Sequence, residues 1–142
     1  MNNDFSIDLF YQEADELLIK VESVLLKLEN EEFEQEDLNE LFRAIHTIKG
    51  SASIFGLKHI ESFTHVLEEA LDLIREGQTP LNVQAIDTLL LCQNHIQQII
   101  YISNEEFEKD PNILANNGKL KLALACLAPD QQNIEPNSKV EK

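Results

Sequence analysis

Four stretches of this chain carry apolar residues at steps of three and four, and that spacing constrains the fold more than any other feature. The first contains Leu9, Phe10, Ala14, Leu17, Leu18, Val21, Leu25 and Leu28. The second contains Leu41, Phe42, Ile45, Ile48, Ala52 and Phe55. The third has Leu57, Ile60, Phe63, Leu67, Ala70, Leu71 and Ile74, and the fourth Ile86, Leu89, Leu90, Ile96, Ile99 and Ile100. Such spacing lines one face of an α-helix and leaves the opposite face to solvent. It predicts helices over about Ile7–Leu28, Glu36–Ile54, Lys58–Arg75 and Val83–Ile102. Ser6 or Asp8 is a candidate N-cap for the first helix, Gly56 and Gly77 read as stops, and Thr79-Pro80 marks a loop. The expectation is an all-α, up-and-down four-helix bundle. A fifth helix is expected near Leu120 to Leu127, after the turn signal Asn116-Asn117-Gly118. Residues 1–128 read as one domain. Residues 129–142, PDQQNIEPNSKVEK, read as a polar, linker-like tail.

Charge narrows the function classes. Asp and Glu number 26 against 11 Lys and Arg, a net charge of −15. Nucleic acid and anionic membranes bind basic patches that release counterions, so neither is an expected partner. The acidic stretch at residues 29–37 reads as a solvated connection anchored by Phe33, and another acidic stretch follows the fourth helix at residues 104–111. Cys92 and Cys126 stand apart with no C-x-x-C spacing, and read as reduced, buried small hydrophobes. No apolar run approaches the ~20 residues of a membrane span, and the N-terminus lacks a basic region followed by an apolar one. A cytoplasmic location is the expectation.

One histidine stands out. His46 sits beside Ile45, about 100° round the helix from it, at the edge of the buried stripe. Lys49 and Gly50 lie three and four residues on and share its flank. A titratable ring thus projects sideways with a cation and a bare backbone patch beside it. Glycine inside a helix costs about 1 kcal/mol relative to alanine. Close approach of another molecule would offset that cost. On the third helix, Glu61, His65 and Glu68 fall on the flank of the stripe. His59 and His95 carry no motif and read as structural or surface residues.

The pattern H-x-x-K-G-x-x-x-x-x-G, here His46, Lys49, Gly50 and Gly56, resembles the histidine phosphotransfer domain. It is most similar to the N-terminal phosphotransfer domain of CheA-type chemotaxis kinases. The opening FYQEADELLIKVESVLLKLE resembles that family's first helix, NELFRAIHTIKGSASIFGL its second and SFTHVLEEALDLIREG its third. Thr64, His65 and Glu68 match a T-H-x-x-E element typical of the chemotaxis kinases. The likeness runs from about Asp4 to Ser103. It implies that His46 accepts a phosphoryl group and that Glu68 orients its ring. Lys49 would supply positive charge near the phosphoryl oxygens, and His65 would join the surrounding hydrogen-bond network. Gly50 would keep the surface flat for a docking partner. The implied partners are the ATP-binding domain of a histidine kinase and the receiver domain of a response regulator.

No G-x-x-x-x-G-K-[ST] and no G-x-G-x-x-G occurs in the chain. ATP and magnesium are therefore expected on a separate kinase domain, with no cofactor in this one. A zinc site from His46, His65 and Glu68 is disfavoured, because H-x-x-E occurs once on the third helix and Lys49 would repel a cation. Three readings stand: part of a full kinase, a separate phosphorelay protein, or a helical interaction module without the chemistry.

Overall fold

The computed structural model describes residues 2–129, with side chains from residue 7 onward. Six helices occur among them: α1 (Asn2–Glu29), α2 (Gln35–Ile54), α3 (Lys58–Arg75), α4 (Val83–Ile99), α5 (Asn104–Glu108) and α6 (Pro111–Ala125). There is no strand among the described residues. The first four helices form the expected up-and-down bundle. Gln35 at the start of α2 donates its side-chain amide to the Arg75 carbonyl at the end of α3 (3.1 Å), so these two helices run antiparallel. Tyr11 and Tyr101 pair at 4.9 Å, which sets the start of α1 against the end of α4. α6 lies across α3 and α4.

The apolar stripes meet in a core containing Phe10, Leu25, Ile45, Ile48, Phe63, Leu67 and Ile96. Two loops are fixed by αL glycines. Gly56 has φ +69°, its N–H bonds the Ser53 carbonyl (3.1 Å), and the Leu57 N–H reaches back to Ala52 (2.9 Å). A side chain at that dihedral would crowd its own backbone, so glycine ends α2 there. Gly77 closes α3 in the same way, with φ +81°. Phe33 anchors the first acidic connection by packing on the core.

Several boundaries differ from the sequence-based expectation. α1 begins at Asn2, so Ser6 and Asp8 lie inside it and neither is its N-cap. α4 stops at Ile99 because Ser103 opens a new helix, in which its hydroxyl accepts from the Glu106 N–H and Glu106 accepts from the Ser103 N–H. The second acidic stretch is therefore mostly α5, with Phe107 buried. The C-terminal helix starts nine residues earlier than Leu120, at Pro111. Asp110 caps it by accepting from Asn112 and Ile113 (both 3.1 Å), and Pro111 loses nothing at a position whose N–H has no helical partner. Asn116-Asn117-Gly118 is thus helical: Asn117 is buried and hydrogen-bonded to His95, and that tertiary contact outweighs local turn preference. Leu9 is exposed because Phe10 takes the inward slot beside it. Cys126 is exposed, contrary to expectation, since Leu124 and Leu127 fill the inward positions around it, whereas Cys92 is buried. The tail expected from Pro129 falls, beyond that residue, outside the described residues.

No helix among the described residues is long and apolar enough to cross a membrane.

Candidate functional site

The α2–α3 seam brings together three of the residues singled out from the sequence. His46 projects from α2 with 62% of its side chain exposed. Opposite it, Glu68 on α3 is buried, its side chain 11% exposed. His46 Nδ1 bonds Glu68 Oε2, and Lys49 Nζ, one turn further along α2, donates to Glu68 Oε1. The two carboxylate oxygens are thus divided between the imidazole and the ammonium.

This arrangement dictates protonation. A carboxylate accepts and does not donate, so Nδ1 must carry a proton and Nε2 presents its lone pair outward when the ring is neutral. Burial alone would raise the Glu68 carboxyl; the hydrogen bonds and positive charge of Lys49 and His46 outweigh it and hold Glu68 below the usual carboxylate range. Glu68 is accordingly ionised at neutral pH and can stabilise positive charge on the ring. Lys49 keeps one cation beside the imidazole while neutralising part of that carboxylate.

Gly50 lies one turn beyond His46 on the same flank. A Cβ placed there would meet nothing within 4 Å, so the fold itself does not demand glycine at this helical position. The bare backbone faces outward, where another molecule can approach.

His65 is arranged differently from expectation. Its Nε2 lies 3.3 Å from Glu69 Oε2 one turn on, and both side chains are largely exposed. It does not join the His46–Glu68–Lys49 group. The reason is angular: about 60° of helix separates residues 65 and 68, enough to turn Glu68 into the seam and His65 to solvent. Thr64 of the same element is buried and bonds the Ile60 carbonyl (2.7 Å), a contact within its own helix. Among the described residues no group of three or more His, Cys, Asp or Glu is placed to hold a metal ion.

Sequence reasoning missed the other wall of the site. Phe42, a stripe residue by its spacing, lies nearly parallel to the His46 ring, with centroids 6.1 Å apart and 11° between planes. The Arg75 guanidinium covers Phe42 at 4.0 Å from the ring centroid. The i, i+4 spacing of Phe42 and His46 was the available signal.

A profile of the Hpt domain family matches residues 6–101, which include every helix of this seam. The chain belongs to the Hpt domain family. Two relatives are chemotaxis proteins CheA. That of Rhizobium meliloti (strain 1021) is 41% identical over 132 residues, 86% of this chain and 17% of the relative. That of Salmonella typhimurium is 40% identical over 99 residues, 68% of this chain and 15% of the relative. This Hpt domain therefore spans about a sixth of the length of such relatives. A solved structure, the phosphorylated P1 domain of CheA3 in complex with CheY6 from R. sphaeroides, matches with a TM-score of 0.74. It covers 88% of this chain and 99% of that one at 24% identity, so the two share a fold.

Proposed function

We propose that this Hpt domain carries phosphoryl groups on His46 in two-component, chemotaxis-type signalling. One observation carries the reading: an exposed imidazole whose Nδ1 is held by an ionised, buried carboxylate. In the forward step, Nε2 attacks the γ-phosphorus of ATP bound with magnesium on a separate kinase domain. The Nε2–P bond forms, the bond to the bridging oxygen breaks, and ADP leaves with that electron pair. The Nδ1 proton stays on the ring, hydrogen-bonded to Glu68, which balances the developing positive charge. Lys49 lies close enough to lower the cost of bringing anionic phosphoryl oxygens beside Glu68.

In the second step, a receiver-domain aspartate of a response regulator attacks the same phosphorus and the N–P bond breaks. A ring carrying a proton at Nδ1 is a good leaving group, since the departing nitrogen regains a lone pair on a neutral imidazole. Gly50 leaves the surface low beside His46, so two different partners can reach one nitrogen. The CheA relatives and the CheY6-bound neighbour support this choice of partners.

The experiment is to mix the domain with a chemotaxis kinase core and γ-labelled ATP. Label should appear on the domain, survive alkali and be lost in acid. Label that is acid-stable, or none at all, would overturn the reading.

A further inference from the structure

A hydrogen bond at Nδ1 fixes the tautomer of His46 but not the direction in which Nε2 points. A ring tethered at one atom can still swivel about that contact, and a swivelling nucleophile is poorly placed for in-line attack. The exposure of His46 leaves most of its surface without packing to stop that motion. Phe42 supplies the missing contact. Its ring lies one helical turn away, nearly parallel to the imidazole, at 6.1 Å and 11°. Phe42 is itself pinned, half-buried against the core on one side and covered by Arg75 at 4.0 Å on another. Arg75 is in turn held by Asp72, which accepts from its guanidinium at 2.6 Å, and its carbonyl accepts from Gln35. A chain of contacts thus runs from the ends of α2 and α3 to the reactive ring.

We infer that Phe42, clamped by Arg75, is a positioning residue for His46: it fixes the imidazole plane, and with it the direction of Nε2, for phosphoryl transfer. The inference rests on His46 being the phosphoacceptor. Phe42 touches neither phosphoryl group nor nucleotide in this scheme; it acts through the ring.

The test uses Phe42→Leu, which keeps apolar volume toward the core, and Phe42→Tyr, which keeps the ring. Phosphorylation by a chemotaxis kinase core is followed at varied domain concentration, and the His46 ring protons by NMR. Phe42→Leu should lower kcat about tenfold with KM unchanged, less than the ~10²-fold that a 1 Å misplacement can cause. The ring-current shift that Phe42 imposes on the His46 protons should disappear with it. Phe42→Tyr should restore both. Arg75→Gln removes the clamp without touching the core and should give a smaller loss of each; it decides the matter if Phe42→Leu does not fold, as judged by its urea midpoint. A wild-type kcat in a folded Phe42→Leu variant would overturn the positioning role, as would a loss confined to KM, which would mark Phe42 as a docking contact. Wild-type protein that shows the ring-current shift but takes no label would sink the phosphoacceptor reading, and the positioning role with it.

Discussion

His46 and His95 make an instructive pair: both sit in one bundle, and each is hydrogen-bonded to a residue 22 positions on. His46 is exposed and paired with a carboxylate. His95 is 1% exposed and paired with amides: its Nε2 donates to Asn117 Oδ1 at 2.7 Å, and its Nδ1 accepts from Asn116 at 3.2 Å. Phe63 packs edge-on against it at 4.8 Å. Both nitrogens of His95 are used up and the ring is held neutral, so it joins α6 to α4 and is unavailable for chemistry. At His46, among the described residues, only Nδ1 is engaged, by a group that tolerates positive charge on the ring. Reactivity in this bundle thus depends on the charge of the partner and on one nitrogen left free.

The sharpest way to break that contrast is to remove His46. His46→Gln should abolish phosphorylation while changing stability by no more than about 0.5 kcal/mol, as at other exposed positions. Alkali-stable label persisting on the variant would show that another residue accepts the phosphoryl group. Next in size is Glu68→Gln, which gives His46 an amide partner like that of His95. Without a counter-charge, and with Nδ1 no longer required to donate, phosphorylation should slow by up to ~10²-fold, the low end for an orienting or acid–base group. Nitrogen NMR of His46 should show the Nδ1–H tautomer in the wild type and its loss in the variant. Unchanged tautomer and rate together would make Glu68 a bystander.

The same pair shows why some of this was legible in the sequence. The apolar spacing of α2 and α3 placed His46 at a stripe edge and Glu68 on a flank, because helical period is a local property. The resemblance then supplied the partnership across the seam. His95 gave no such signal. Its partners are Asn116 and Asn117, which followed by Gly118 read as a turn, and only the tertiary contact reveals why they are helical. His65 failed in the opposite sense, since a motif position put it in the network while about 60° of helix put it in solvent. Phe42 and Arg75 lie 33 positions apart, and no periodicity links them.

His95 offers stability tests of the comparison. Asn117→Ala would leave the buried Nε2–H without an acceptor and should cost about 1–3 kcal/mol in urea unfolding, with phosphorylation of His46 intact. Acid should act on the two sites in different windows. Burial lowers the His95 imidazole from its ordinary 6.5, with the bond to Asn117 opposing. The unfolded chain therefore takes up the proton first, so this contribution is fully present above 6.5 and is lost as pH falls below it. Glu68 is also lowered, from 4.5, so its contribution persists until pH falls below that value. The urea midpoint should drop as pH falls below 6.5, and drop less in a His95→Phe/Asn117→Leu double variant, where both polar partners are removed together. Equal drops would show that His95 does not carry the acid sensitivity.

The smallest effect is expected at His65, and it isolates what a carboxylate partner needs in order to matter. Like His46, His65 is exposed and faces a carboxylate, Glu69, at 3.3 Å. Unlike Glu68, Glu69 is 66% exposed on its side chain and has no lysine bonded to it among the described residues. Water and salt screen such a pair, and both side chains move freely, so the contact neither fixes a tautomer nor supports charge on the ring. His65→Ala should therefore leave His46 phosphorylation within about twofold of wild type and leave the His46 tautomer unchanged, as an ordinary surface substitution would. A fall approaching that of Glu68→Gln would mean that His65 reaches the seam in solution. The distinction drawn between an exposed and a buried carboxylate partner would then be wrong.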